Sequence, residues 1–271
     1  MTTVTQLTKV KLKGKDNVIG IGEQFFFAAL HQNLYAASTS KGNPQLFANI
    51  NLNNHPRNVL LNIQSVVNDR KDTLLIIPHL IDTIPLPNEI AFFSVVNKTK
   101  NKIEYTKQIL PAQSLAGFGN EPIIVNGRIY LVAHYSIFCF DLNTGNQIWE
   151  EKFPSIFAFS NIIYHDGMII GNCEDTFMYA LDAKTGKQLW ATKTSGTSSR
   201  LFEMNGVIYF TGGGDGLLHA VDAKTGQHIW KKESPDLARN DGAWFFDSVT
   251  GADGKIYVSS YLSLFCYKAA R

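Results

Sequence analysis

An all-β fold, a single β-propeller of four-stranded antiparallel blades, is what the sequence predicts, and three observations predict it. A motif recurs about every forty residues: Asp141-Leu142-Asn143-Thr144-Gly145 leads to Trp149, Asp182-Ala183-Lys184-Thr185-Gly186 to Trp190, and Asp222-Ala223-Lys224-Thr225-Gly226 to Trp230. A two-residue punctuation mark precedes each copy and recurs once more: Asn126-Gly127, Asp166-Gly167, Asn205-Gly206 and Asp253-Gly254. Short apolar runs rich in β-branched and aromatic residues follow these pairs: 129–132, 168–170, 207–210 and 256–258. A unit of strand, tight turn, strand, short loop, strand, Thr-Gly turn and strand is one propeller blade.

Each recurring letter has a local physical task. Asn-Gly and Asp-Gly favour the hairpin turn that requires positive φ at both central positions. Glycine in the Thr-Gly turn supplies a left-handed position without a Cβ clash. The aspartate three residues before the threonine accepts backbone N–H bonds and closes the turn. The tryptophan packs as a plate between adjacent blades, and its indole N–H needs an acceptor. None of these tasks requires a ligand.

The pattern apolar-Asp-x-x-Thr-Gly-x-x-x-Trp, preceded by Tyr179-Ala180-Leu181 or His219-Ala220-Val221, resembles the pyrroloquinoline-quinone enzyme repeat. The same repeat occurs in non-catalytic relatives, among them the propeller lipoprotein of the outer-membrane assembly machine. The resemblance is specific over residues 120–271 and weaker over 1–119. One PQQ-like domain over 1–271 is therefore expected, with clear repeats at 120–271 and divergent blades at 1–119.

Third strands are expected at Gln45–Ile50, Ile90–Val96, Ser136–Phe140, Phe177–Leu181, Leu217–Val221 and Ser263–Tyr267, which makes six blades, or five if the first segment is a cap. Asn97 to Tyr105 aligns with the Asp-to-Trp motif; Asn101 takes the glycine place, since Asn tolerates the left-handed region, and Tyr105 replaces the tryptophan. No Thr-Gly turn follows Ser263–Tyr267. The alternating segment Val4 to Leu12 is expected to supply the missing strand and close the ring, removing a sheet edge.

Composition excludes several partners. The formal net charge is +2, from 25 basic and 23 acidic side chains, which gives no electrostatic attraction to nucleic acid or an anionic membrane. Three cysteines, Cys139, Cys173 and Cys266, are too few and too odd for a disulfide framework. The first residues lack the apolar core of a secretory signal, and the run Phe25 to Leu30 is too short to span a bilayer. A soluble, cytoplasmic protein is expected.

No catalytic, cofactor or metal set is expected. The seven histidines show no zinc-ligand spacing; His219 and His228 fall on strands of the repeat. Asn172-Cys173-Glu174-Asp175 and Gly212 to Gly216 read as turns, and Cys173, with no basic neighbour, as an idle thiol. The resemblance implies quinone chemistry in longer dehydrogenases, with a calcium ion, a catalytic aspartate and often adjacent cysteines. No adjacent cysteines occur here.

What remains is surface. Connections between blades, and between second and third strands, open on one face. That face is expected to carry His79–Glu89, including His79, Leu80, Ile81, Ile84 and Leu86, together with Pro111–Phe118, Tyr135, Glu174, Thr194–Arg200 and Lys231–Asp241. The long segment Ser234–Trp244 adds Arg239, Asp241 and Trp244. Apolar tips with Arg and aromatic anchors compose a protein-binding rim. The reading is a non-catalytic propeller that binds another protein, as an adaptor or as an inhibitor such as an immunity protein against a bacterial toxin. The alternative is an enzyme at the mouth of the central channel, a quinone-dependent oxidoreductase or a hydrolase, using Glu121, Asp247 and Arg200. A third reading is a purely structural subunit of a larger complex, and the bland reading of the long loops is that they merely drift in length.

Overall fold

The computed structural model describes residues 18–21, 24–29, 33–38, 45–50, 58–61, 63–83, 88–114, 117–118, 121–157, 161–196, 199–239, 242–246 and 248–271. Two compact units emerge, 1–129 with 140–146, and 130–139 with 147–271. Among the described residues there is no α-helix, and the strands form six sheets.

In the first unit, β1 (Val18–Ile21), β2 (Gln24–Ala29), β3 (Asn33–Ser38) and β4 (Gln45–Ala48) form a four-stranded sheet in sequence order. Gln45–Ile50 is therefore not the third strand expected; its first part is the fourth, and β3 is the third. The shift arises because β1, short and without a repeat motif, was not recognised as the opening strand. The segment Val4 to Leu12 lies outside the described residues.

The next sheet departs from the four-stranded pattern. It holds β5 (Asn58–Leu60), β6 (Gln64–Val67), β7 (Thr73–Asp82), β8 (Asn88–Asn97) and β9 (Lys102–Ser114). Both β5 and β6 pair with β7: β5 with its end, Leu60 opposite His79, and β6 with its beginning, Gln64 opposite Ile76. The break falls at Pro78, which has no N–H for a ladder and whose carbonyl accepts from the Leu61 N–H at 2.8 Å.

His79, Leu80 and Ile81 are thus strand residues, not loop residues. His79 is 0% exposed, Leu80 8% and Ile81 5%. The run Leu74 to Ile81 is buried on both faces, as a strand covered on both sides is; Pro85 and Pro87, further along, make His79–Glu89 read as a loop. Ile84 and Leu86 lie outside the described residues.

The third sheet holds β10 (Ile123–Val125), β11 (Arg128–Ala133), β12 (Ser136–Asp141) and β13 (Gln147–Lys152). The second unit adds β14 (Ile162–His165), β15 (Met168–Asn172), β16 (Phe177–Asp182) and β17 (Gln188–Lys193). Then come β18 (Phe202–Met204), β19 (Val207–Thr211), β20 (Leu218–Asp222) and β21 (His228–Lys232). The last sheet has three described strands, β22 (Thr250–Ala252), β23 (Lys255–Ser259) and β24 (Leu264–Lys268).

The turn chemistry follows from the residues. Asn126, Asp166, Asn205 and Asp253 have φ of 51°, 45°, 53° and 52°, and the glycine after each is also positive. In the Thr-Gly turns, Asp182 Oδ1 accepts from the Lys184 N–H, the Thr185 N–H and the Thr185 hydroxyl at 2.8–3.0 Å. The Thr185 contacts hold the Asp182 carboxyl below its ordinary range despite the opposing effect of burial. The Trp149 and Trp190 plates each lie over the next Thr-Gly turn. A Cβ on Gly186 would meet the Trp149 ring at 2.8 Å, and one on Gly226 the Trp190 ring at 2.6 Å. Between the sheets β14–β17 and β18–β21, Met168, Ile170, Met178, Ile208, Phe210 and Val221 pack as one buried cluster.

Candidate interaction surface

At one end of the second unit, turns between second and third strands meet the connections that lead from sheet to sheet. The pattern repeats. The connection after β13 bonds to the turn of its own sheet, Phe153 N–H to Tyr135 O at 2.8 Å, and to the next, Glu174 N–H to Ile156 O at 2.9 Å. After β17, the Thr194 N–H reaches Thr176 O at 2.7 Å and Ser195 O receives the Gly214 N–H at 2.9 Å. After β21, the Phe245 N–H reaches Gly216 O at 3.2 Å, and Phe245 bridges to Ser260.

Buried polar side chains fix this end. Asn172 accepts from the Thr194 hydroxyl at 2.7 Å and donates to Gly196 O at 3.3 Å. Asp215 accepts from the Ser195 hydroxyl at 2.9 Å and contacts His219 Nε2 at 3.1 Å. Burial raises the Asp215 carboxyl, but the bonds from His219, Leu217 and Ser195 outweigh it and hold the group low. The carboxylate stands between hydroxyl and imidazole. A nucleophilic serine needs the imidazole in that middle place, so this row orders loops and does not activate Ser195.

The last connection is tied down hardest. Ser234 caps a 3-10 turn at Pro235–Ala238, accepting from the Asp236 N–H at 3.3 Å. The Asp236 side chain, buried, accepts from the Ser260 hydroxyl at 2.6 Å, and that bond holds its carboxyl below the ordinary range. Ser260 Oγ in turn accepts from the Leu262 and Ser263 N–H groups. Two loops from different parts of the chain are thereby locked together.

They present a cluster of exposed apolar side chains: Trp244 at 52%, Phe246 at 37%, Tyr261 at 68%, Leu262 at 54% and, opening β24, Leu264 at 72%. The Phe246 and Tyr261 rings stack at 4.1 Å, 9° from parallel. Trp244 leans on Gly216, whose φ is 63° and where a Cβ would meet the Trp244 Cβ at 2.8 Å.

Of the residues the sequence singled out, Tyr135, Glu174, Arg200, Arg239 and Trp244 lie on the turns and connections of this unit. Tyr135, Arg200 and Arg239 are exposed. Glu174 is half-buried; its Oε1 is sealed without a partner and desolvation raises its carboxyl. Asp241 and Asp247 lie outside the described residues, and Glu121 is half-buried. Phe246, Tyr261, Leu262 and Leu264 were missed. Their signal was available: Tyr261-Leu262-Ser263 occupies the turn where earlier units have Glu174-Asp175-Thr176 or Gly213-Gly214-Asp215.

Cys173 is buried, its Sγ 3.3 Å from Ser155 O, and burial pushes the thiol up to about 12. A thiol so held carries no thiolate at neutral pH. Among the described residues no group of three or more His, Cys, Asp or Glu side chains is placed to hold a metal ion. They offer no fit to the calcium-linked quinone that the repeat's name implies. No helix among the described residues is long and apolar enough to cross a membrane.

Repeated sheets with Asp-x-x-Thr-Gly turns and stacked tryptophans define a β-propeller of the PQQ-like repeat class. The family model described as outer membrane protein assembly factor BamB matches residues 111–192 and 174–270, more than half of the chain, and the chain belongs to this family. Among solved structures, a chain of the mitotic checkpoint complex is 10% identical, with a TM-score of 0.58 over 91% of this chain and 71% of that one. Quinohemoprotein alcohol dehydrogenase from Comamonas testosteroni is 22% identical, with a TM-score of 0.46 over 54% of this chain and 29% of its own. The computationally designed Ika4 protein is 12% identical, with a TM-score of 0.47 over 58% of this chain and 94% of its own. The alignment thus spans under a third of the dehydrogenase. No curated protein sequence matches the chain. Likeness at such identities concerns fold alone.

Proposed function

We propose that the protein is a non-catalytic binding propeller that engages another protein through the turn end of its second unit, as an adaptor or an inhibitor. An immunity protein that neutralises a bacterial toxin is the inhibitory form of this reading. The observation that carries it is the exposed cluster of Trp244, Phe246, Tyr261, Leu262 and Leu264. Apolar side chains grouped on a surface mark interaction sites, where singly scattered ones do not. Aromatic anchors dominate protein interfaces, and here the Asp236–Ser260 bond fixes the loops in advance, lowering the ordering cost of binding.

The test is capture of partners from native lysate, then Kd for the purified pair with Phe246→Ala and Tyr261→Ala. Loss of one central aromatic anchor costs about 2 kcal/mol, roughly thirtyfold in Kd. A double variant that binds as tightly as the parent would overturn the site. Addition of quinone and calcium, followed by absorbance, is expected to leave the spectrum unchanged; a stoichiometric quinone band would favour the enzyme reading.

A further inference from the structure

We infer that the outer edge of β24 accepts an extended strand of the partner protein, antiparallel to β24, with an apolar side chain opposite Leu264 and a carboxylate opposite Lys268. The inference rests on the binding reading above and specifies how the partner is held. β24 stands third in its sheet, and Lys268 faces Lys255 on β23 as Asp222 on β20 faces Val207 on β19. In the two preceding sheets a fourth strand covers the third: Ala180 faces Trp190, and Ala220 faces Trp230. Among the described residues no strand covers β24 in this way. Its residues alternate between exposed and half-buried, whereas β20 is buried from Leu218 to Val221.

The ladder shows which backbone groups are open. The Ser260 N–H donates to Ser263 O at 2.9 Å, and the Ala269 N–H to Gly254 O at 2.8 Å. In an antiparallel pair every second residue bonds to the neighbouring strand. Phe265 and Tyr267 therefore turn their N–H and C=O groups toward β23, and Leu264, Cys266 and Lys268 turn theirs outward. At the place of Lys268 in the preceding sheets, the outward N–H groups of Asp182 and Asp222 are taken by Lys187 O at 2.8 Å and Gln227 O at 2.9 Å. After Lys268 the chain leaves the edge: the Ala270 N–H donates to the Tyr209 hydroxyl at 2.7 Å, and Arg271 pairs with Asp222. A row of outward donors and acceptors is a template for an added strand.

Side chains select the strand. Leu264 belongs to the exposed apolar cluster, so an apolar residue beside it extends the surface already proposed. At the other end Lys255 and Lys268 face each other, and like charges directly opposite are destabilising. A carboxylate on the outer side of Lys268 relieves that repulsion. The chain's own candidates bring none. The segment Val4 to Leu12 carries Lys9 and Lys11, and no Asp or Glu precedes Asp16. A second copy of β24, Leu264–Lys268, holds a lysine and no acid. An acidic strand of another protein supplies the missing counter-charge.

The test is amide hydrogen exchange, read by 15N NMR on the full chain, alone and with two end-capped synthetic peptides. One reads Glu-Thr-Val-Thr-Leu-Thr-Val, which in antiparallel register sets Glu opposite Lys268 and Leu opposite Leu264; the other has Lys in place of Glu. Without peptide, the Leu264, Cys266 and Lys268 amides are expected to exchange freely while those of Phe265 and Tyr267 are protected. The acidic peptide should slow the three outward amides and bind about tenfold more tightly than the lysine peptide, the span that cross-strand charge pairs allow. Lys268→Glu should reverse that order. Outward amides already protected in the free chain overturn the proposal, assigning the edge to the segment 4–12 in a monomer and to a second copy in a dimer. Protection by neither peptide, or equal binding of the two, overturns it as well. Partner affinity that falls with Phe246→Ala and Tyr261→Ala but ignores Lys268→Glu keeps the binding surface and removes the added strand, so the two readings fail separately.

Discussion

The indole N–H of Trp149, on β13, donates to the backbone oxygen of Ala183 at 3.1 Å while its ring covers Gly186 in the same turn. One position earlier in the repeat series, Tyr105 does the same with a hydroxyl, donating to Leu142 O at 2.7 Å and lying against Gly145. Trp190 keeps the ring contact, over Gly226, but its Nε1 is buried without a partner. The two tryptophans should therefore respond differently to the same change. Trp149→Phe loses a hydrogen bond, about 1 kcal/mol beyond the lost ring area, while the Tyr130 hydroxyl, 3.0 Å from the same oxygen, keeps that carbonyl partnered. Trp190→Phe removes an unsatisfied donor and loses ring area alone. Urea unfolding is expected to rank Trp149→Phe as the more damaging; equal losses would remove the hydrogen bond from the account.

Glycines of the two turn types separate backbone strain from crowding. Gly167 has φ of 82° and a Cβ there would meet nothing within 4 Å. Gly167→Ala should cost only the left-handed penalty, about 1–2 kcal/mol. Gly186 has φ of 75° and a Cβ would also drive into Trp149, adding about 1–3 kcal/mol of overpacking. Thermal unfolding of the two variants should differ by that second amount, and Trp149→Ala combined with Gly186→Ala should recover part of it.

The repeat was legible because its letters are local. Asp182, Thr185 and Gly186 make a turn among themselves, and Asn205-Gly206 needs no distant residue to adopt positive φ. Tyr105 standing in for a tryptophan was legible for the same reason. His79, Leu80 and Ile81 read as loop because Pro85 and Pro87 mark the segment that follows them, while the pairing that keeps them in a strand comes from β8 and from the short strand β5, distant in sequence. The exposed cluster was half legible. Trp244 stood out in a long connection, but Phe246 becomes a surface feature only when Tyr261 stacks on it, and no local pattern announces a contact between loops.

Buried His79 should set the acid side of stability. Its ring is sealed in β7, with Nε2 3.1 Å from the Ser94 hydroxyl, and desolvation lowers its pKa from 6.5 to about 4. Between those values the unfolded chain binds a proton that the folded chain refuses. Stability from this group is therefore complete above about pH 6.5 and is lost as pH falls toward 4, by roughly 3 kcal/mol at full protonation. His219, also lowered by burial, adds a contribution of the same sign. Denaturant midpoints between pH 4 and 7 should rise with pH, and His79→Gln should flatten that slope whatever it does to the midpoint at pH 7. An unchanged slope would place the titration elsewhere.

The tie between Asp236 and Ser260 should govern the order of the loop that carries Trp244 and Phe246. Ser260 has several jobs at once: its hydroxyl donates to the Asp236 carboxylate at 2.6 Å and its oxygen accepts two N–H groups of its own turn. Ser260→Ala removes all three while leaving the buried carboxylate with the Ser263 side chain and a long ion pair to Arg239, 3.6 Å away. The 3-10 turn then loses its anchor. Arg239 is exposed, so limited trypsin digestion reads the opening directly. Cleavage after Arg239 is expected to quicken by about tenfold, the factor that losing a hydrogen bond to a charged group gives. Ser260→Thr, which keeps the hydroxyl, should restore the parent rate. If Ser260→Ala digests no faster than the parent, the loop is held by the Phe246–Tyr261 stack instead, and Tyr261→Ala should be the variant that opens it.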